Sequence, residues 1–167
     1  MPRRHSGRGR DAPPRRHRAE DGTDQHTSRP DQIGDGDQRD ELTSAGVTVT
    51  GWLTPAEVET VLRGCSVYLH SASYEGFPLS VLDAAGAGLP IVVRDLACFE
   101  GSPLLPGVSD PEHAAQQVRE LLTKVPALSD SLAASAQLAA ASTNEAQTHA
   151  LWRAYSAVME TAGARRR

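Results

Sequence analysis

Ser71-Ala72-Ser73-Tyr74-Glu75-Gly76-Phe77-Pro78-Leu79-Ser80-Val81-Leu82-Asp83-Ala84-Ala85-Gly86-Ala87-Gly88 leads from the end of an apolar segment, through a polar loop, into a helical pattern. The segment before it, Ser66-Val67-Tyr68-Leu69-His70, is short and apolar and reads as a buried strand, and Pro90-Ile91-Val92-Val93 behind it reads as another. Between them Pro78 to Ala87 reads as a helix, with Pro78 at or near its first position, stopped by Gly88-Leu89-Pro90. Short continuous apolar strands alternating with helices predict a parallel sheet covered on both faces. This is the α/β layer arrangement, a Rossmann-like sheet with flanking helices.

The same alternation extends outward. Asp37 to Ala45 reads as a short polar helix and Val47 to Gly51 as a strand ending at Trp52. Thr54-Pro55-Ala56-Glu57 places Thr at the N-cap, Pro at the first helical position and Glu at the third. That capping box opens a helix ending near Gly64, with Val58, Val61 and Leu62 at helical spacing. Downstream the chain is helical. Asp110-Pro111-Glu112 opens one helix that stops before Pro126, Leu128 to Ala141 forms an Ala-rich second, and Asn144 caps a third. This last helix carries Leu151, Trp152, Tyr155, Val158 and Met159 on one stripe, read as core packing.

Composition divides the chain. At 167 residues there is room for one ordinary domain, and a hydrophobic fraction of 39% supports a packed core. The net charge of -4 conceals an uneven distribution: residues 1–30 hold eight Arg against four acids, whereas residues 31–164 hold six basic against seventeen acidic groups. Residues 1–32 are expected to be a disordered basic leader, residues 33–163 the folded domain and residues 164–167 a basic tail. Ser28-Arg29-Pro30-Asp31-Gln32, with a proline and charges, is unsuited to a central buried strand. Clustered arginines can neutralise phosphates, but this leader has no aromatic interleaving, so nucleic acid is not the expected partner.

Cys65 and Cys98 lie far apart with no Cys-x-x-Cys spacing, and neither a disulfide framework nor a zinc site is expected. The six histidines show no metal-ligand spacing. No apolar stretch has the length of a signal-peptide core or a membrane span, so a soluble cytoplasmic protein without an integral membrane segment is expected. Walker and Gly-x-Ser-x-Gly sequences do not occur, and Gly34-x-Gly36-x-x-Arg39 lacks the third glycine of a dinucleotide fingerprint.

In an open α/β sheet ligands bind beyond the carboxyl ends of the strands. A helix N-terminus there offers unpaired N–H groups and about half a positive charge. The donors expected here are the main-chain N–H groups of Gly76, Phe77, Leu79 and Ser80, with the Ser80 hydroxyl beside them. Gly76 has no side chain to hold a ligand away. Asp83, on one face with Leu79 and Ser80, sits about 7–8 Å along the axis from Pro78. That suits the hydroxyls of a ribose next to a diphosphate, and Glu75 suits hydroxyls on the other side. Residue physics also admits a plain reading, in which Ala84, Ala85, Gly86 and Ala87 only permit close packing and Glu75 only compensates the helix dipole. His70, at a strand end near this site, reads as a histidine satisfied by neighbouring backbone.

Tyr74-Glu75-Gly76-Phe77-Pro78-Leu79, then Val81-Leu82-Asp83-Ala84, then Gly88-Leu89-Pro90-Ile91-Val92-Val93 resembles the donor-binding signature of the group 1 glycosyltransferases. The similarity takes in Gly34-Asp35-Gly36 with Arg39 and Leu42, and Val47 to Leu53, and covers roughly residues 33–162. It implies a GT-B fold and transfer of a sugar, with retained configuration and no metal or other cofactor, from a nucleoside diphosphate sugar to an acceptor hydroxyl. Glu75 matches the first of two acids separated by seven residues, the catalytic group that contacts the donor sugar or its phosphate. Asp83 falls on the second, which holds the ribose. Phe77, Leu79 and Ser80 would cradle the diphosphate, and Gly34, Gly36 and Gly51-Trp52 would lie near the nucleobase. The resemblance covers the C-terminal, donor-binding half of such an enzyme, so a truncated chain is expected. A separate acceptor-binding domain or chain would be its partner, and sugar transfer by this chain alone is not expected. The resemblance also implies a late helix crossing back towards that other domain, which would leave part of the Trp152/Tyr155 surface exposed. The alternative is a non-catalytic nucleotide-sugar-binding or partner-docking module.

Overall fold

The computed structural model describes residues 30–164, with side chains as far as Thr161. The basic leader over residues 1–29 and Arg165 to Arg167 lie outside the described residues. Ten elements of regular structure follow in order: β1 (Asp31–Gln32), α1 (Arg39–Ser44), β2 (Thr48–Val49), α2 (Pro55–Gly64), β3 (Tyr68–His70), α3 (Leu79–Gly86), β4 (Ile91–Val93), α4 (Pro111–Thr123), α5 (Val125–Ala141) and α6 (Asn144–Ala164). A single 3-10 turn, Ala97–Phe99, follows β4.

The α/β class expected from the strand and helix pattern is the class observed, with all strand pairs parallel. The expected single sheet is instead two separate pairs. Strand β1 pairs with β2 in the register Asp31 to Thr48, and β3 pairs with β4 in the register Tyr68 to Ile91 and His70 to Val93. The first pair closes just after Thr50. Gly51 turns the chain at φ 75°, a left-handed conformation open to glycine, and its carbonyl accepts from Gly34 N–H at 3.2 Å. The backbone groups that would extend β2 are thereby used locally.

Strand β1 also corrects the expected domain boundary. Asp31 and Gln32, assigned to the leader, form a strand whose two residues are both exposed. A charged residue is tolerated there because β1 lies on the surface rather than in the sheet centre.

Alternation of side chains across the β3–β4 pair builds two cores. Ile91 and Val93 face a cluster containing Val81, Ala84 and Ala85 of α3, Phe99 and Leu138 of α5. Val92 faces the opposite way, with Val67 beside it, towards Val108 and Ala114 and Leu121 of α4. Each fully buried Phe or Val here contributes about 1.5–3 kcal/mol. Strand β3 is less buried than expected: Leu69 is 45% exposed, because it lies on the α4 side at a margin that α4 does not cover.

Helix boundaries follow their capping chemistry. Thr54 accepts from Glu57 N–H while Glu57 Oε2 accepts from Thr54 N–H at 2.8 Å, the expected capping box of α2. Asp110 Oδ1 accepts from His113 N–H at 2.8 Å and opens α4. Helix α3 ends where Gly88, at φ 76°, lets Leu89 N–H reach back to the Ala84 carbonyl at 3.1 Å. Three expectations shift. Pro78 is the N-cap of α3 and not its first helical residue. Helix α5 begins at Val125 rather than Leu128, since Pro126 in its first turn needs no N–H donor. Thr143, not Asn144, caps α6, its hydroxyl accepting from Ala146 N–H at 3.1 Å.

The stripe on α6 is the largest departure. Leu151, Trp152, Tyr155, Val158 and Met159 were read as core packing, with only part of the surface left open by the resemblance, yet all are between 57% and 72% exposed. Periodicity reveals an apolar face but not whether a neighbouring element covers it.

A Cβ added at Gly107 would stand 2.6 Å from Asp95 N and 2.7 Å from Arg94 C, where the loop presses on the end of β4. Gly107→Ala is expected to destabilise the fold by about 2–3 kcal/mol through this overpacking. Gly64→Ala, where nothing lies within 4 Å, should be neutral or stabilising by up to about 1 kcal/mol. Urea unfolding of the two variants against the parent checks both.

Candidate functional site

Helix α3 starts immediately beyond the carboxyl end of β3, after the loop 71–78. Pro78 is buried at its N-cap and supplies neither an N–H nor a capping side chain. Its carbonyl takes the Val81 N–H at 3.2 Å. The N–H groups of Gly76, Phe77, Leu79 and Ser80 donate to no backbone carbonyl among the described residues. Four donors at or just before the positive end of an eight-residue helix are therefore left without a backbone acceptor. A Cβ built on Gly76 would meet nothing within 4 Å, so the main chain there is open to a close-lying ligand. The Phe77 ring covers the floor, 6.0 Å from Phe99 in an edge-on contact.

The two acids lie on either side of this end. Glu75 is half-buried in the loop, with Oε1 3.8 Å from Nε2 of His70. Asp83 is exposed one turn further on and lines a groove of about 500 Å³ between α2 and α3. Leu53, Pro55, Val58 and Arg63 form the other wall. Leu53 adjoins Trp52, which is 86% exposed.

Tyr68, which sequence reasoning passed over as a strand residue, has a perturbed phenol. Burial pushes its phenol up from the usual range. The Ser80 hydroxyl pulls it back, while the carboxylates of Asp83 and Glu75 add to the rise. The available signal was the parity of Tyr68 with His70, two residues apart and on one face of the strand.

His70 differs from the expectation of a backbone-satisfied histidine. It is 8% exposed, and its Nε2 is buried with no hydrogen-bond partner among the described residues. The ring stacks on Tyr68 and meets Phe99 edge-on, which fixes its orientation. Burial holds its pKa below the usual range, and the Glu75 carboxylate opposes that shift.

Gly34, Gly36 and Trp52 belong to a second cluster. Gly34 N–H donates to the Gly51 carbonyl, Gly36 N–H donates to Asp35 Oδ1 at 2.9 Å, and Arg39 binds Asp35 Oδ2 at 2.7 Å. The Arg39 guanidinium, followed by the Gly36 N–H, keeps the Asp35 carboxyl below its ordinary range. The Gly34–Gly36 loop and Gly51-Trp52 are thus brought together as expected. Leu53, in the wall opposite Asp83, connects this cluster to the groove. Among the described residues no group of three His, Cys, Asp or Glu converges on a metal position. None of the described helices is long and apolar enough to cross a membrane.

A family model described as glycosyl transferases group 1 matches residues 21–124. The chain belongs to the group 1 glycosyltransferases. The match begins at residue 21, so family similarity reaches into the stretch read as a basic leader and beyond the residues 33–162 that carried the resemblance. Among solved structures the chain is similar to the pneumococcal O-GlcNAc transferase GtfA, a structure in complex with UDP and GlcNAc. The identity is 21% and the TM-score 0.57, over 77% of this chain and 29% of that one. The likeness shows the fold: this group 1 glycosyltransferase chain carries part of a GT-B, Rossmann-like architecture. It spans less than a third of the length of GtfA. No curated protein matches it.

The His70 environment generates a pH dependence. The unfolded chain binds a proton at about pH 6.5, whereas folded His70 binds one only at lower pH. Its contribution to stability is therefore complete above pH 6.5 and is lost as the pH falls through the folded value. Asp35, Glu57, Asp110 and Glu120, all held below the ordinary carboxylate range, lose theirs only at more acidic pH. Urea unfolding between pH 7.5 and 5 should show a falling midpoint that flattens in His70→Gln, and an unchanged slope in that variant would refute the assignment.

Proposed function

We propose that this chain is the donor-nucleotide-binding part of a retaining glycosyltransferase. The reaction moves a sugar from a nucleoside diphosphate sugar to an acceptor hydroxyl, without a metal or other cofactor. The observation that carries the reading is the open N-terminus of α3, with four unused N–H donors between Glu75 and Asp83. The diphosphate sits on the main chain of Gly76, Phe77, Leu79 and Ser80, and the Ser80 hydroxyl adds a donor. Asp83 takes the ribose hydroxyls in the groove between α2 and α3. The base lies toward Gly34, Gly36 and Trp52. On the other side Glu75, as the catalytic carboxylate, accepts from the hydroxyls of the donor sugar.

The chemical logic is electrostatic. As the glycosidic bond breaks, negative charge grows on the departing diphosphate, and preorganised N–H donors at a helix N-terminus stabilise that charge without reorganising. Family membership supports sugar transfer, and the UDP and GlcNAc found with GtfA support a nucleotide-sugar ligand. Because the chain spans 29% of GtfA, we assign acceptor binding to a separate domain or chain. We place the protein in the cytoplasm, in keeping with the free thiols of Cys65 and Cys98. A second reading, a non-catalytic module that holds a nucleotide sugar or docks a partner, is favoured by the uncovered apolar stripe of α6.

Calorimetric titration of the full chain with UDP, GDP and ADP tests the site. One of the three should bind at millimolar affinity or tighter. Asp83→Ala should weaken that diphosphate about tenfold, the effect of losing a charge-assisted hydrogen bond. Gly76→Val should weaken it further with the unfolding midpoint nearly unchanged, since its side chain enters open space. Glu75→Ala should weaken the matching nucleotide sugar more than the diphosphate. Failure of all three diphosphates to bind removes the donor-site reading. Turnover by the purified chain would exclude the module.

A further inference from the structure

His70 has a buried polar atom without a partner, 3.8 Å from the carboxylate assigned above to the donor sugar. The separation exceeds a hydrogen bond by less than 1 Å. The two partners differ in freedom. His70 is clamped by Tyr68 on its face and Phe99 at its edge, on a strand paired with β4 through Val93. Glu75 lies in a loop, its side chain 34% exposed, with three rotatable bonds. Glu75 is therefore the freer of the two partners to close the remaining gap.

We propose that His70 is a positioning residue that donates Nε2–H to Glu75 Oε1 and so presents the remaining carboxylate oxygen to the donor sugar. This rests on the donor-site reading and extends it to a residue that does not itself touch the sugar. An ionised carboxylate only accepts hydrogen bonds, so binding a sugar hydroxyl through one oxygen leaves the other free for a donor from the protein. Nε2–H of a neutral imidazole supplies that donor without placing a second charge beside the diphosphate. The buried nitrogen, costly if left unpaired, gains its partner at the same time.

The arrangement also explains why the orphan lies here. Tyr68 and Phe99 pack on the ring, and the Glu75 carboxylate stands 3.8 Å from Nε2. Glu75 and Tyr68 are the titratable groups against the ring. Tyr68 is neutral at physiological pH, its phenol pushed further up by burial, so Glu75 is the charged partner.

Two measurements on the full chain test this. Long-range proton–nitrogen NMR of the histidine rings should show neutral His70 protonated at Nε2, and its titration midpoint should fall in Glu75→Gln. A neutral ring protonated at Nδ1, or a midpoint indifferent to Glu75→Gln, overturns the contact.

The second is calorimetry with UDP, GDP and ADP and with UDP-glucose, GDP-mannose and ADP-glucose on wild type, His70→Phe and His70→Gln. The expected result is a five- to tenfold loss of nucleotide-sugar affinity in His70→Phe, recovery in His70→Gln, whose amide nitrogen reaches the same place, and no change for the diphosphate alone. If His70→Phe weakens diphosphate and nucleotide sugar equally, the role is structural and the proposal fails. If wild type binds a diphosphate and His70→Phe holds its sugar as tightly, the donor site stands and the positioning role is overturned. If wild type binds no diphosphate, the donor-site reading falls and the presentation of Glu75 to a sugar falls with it.

Discussion

The seating of α3 on the β3–β4 pair is the contact from which the rest of the site takes its geometry. Val81 and Ala84 are completely buried and Ala85 nearly so, and they meet Ile91, Val93 and Phe99. Alanine at two successive positions lets the helix axis approach the strands closely, and close packing in turn leaves little freedom of tilt. A helix held in this way aims its first N–H groups in a fixed direction. Preorganisation of that kind is what separates an anion site from an ordinary exposed helix end.

The acids are held with different strictness. Asp83 belongs to the helix and moves only as its rotamer allows. Glu75 belongs to the loop and depends on its surroundings, which are the wall of Tyr68, His70 and Phe99. The nucleobase-side cluster is built on other principles. Gly34, Asp35, Gly36 and Arg39 form a closed hydrogen-bonded loop against Gly51, with hardly any apolar burial. It is held by polar contacts close to water, where each contributes modestly. One half of the groove is therefore rigid through packing, and the other half is shaped by a local polar network.

Much of this was legible in the residues. Capping chemistry is local, so Thr54 with Glu57, Asp110 with Pro111, and Gly88 announced their helix ends with little error. The strand–loop–helix unit and its donors were readable because Pro78, Gly76 and the apolar strand before them leave few alternatives. What escaped was non-local. The β1–β2 pair is closed by Gly34 meeting Gly51 across sixteen intervening residues. Burial of the His70 ring involves Phe99, almost thirty residues away, in an edge-on contact that no local pattern announces. Strand β1 was missed because Asp31 and Gln32 have no apolar signature, and pairing at a surface edge does not require one. The family resemblance added roles to residues whose positions the local chemistry had already marked.

The exposed stripe of α6 also bears on how the chain comes apart. A helix of 21 residues that shares little buried surface with its neighbours keeps its form mostly through its own backbone hydrogen bonds, and an isolated helix of that length is only marginally stable in water. Its opening free energy is then set by local terms and decoupled from the β3–β4 core, so the molecule has at least two cooperative units of unequal strength. A single global unfolding free energy would describe the Rossmann-like body and leave out the helix that carries the exposed stripe of Leu151, Trp152, Tyr155, Val158 and Met159.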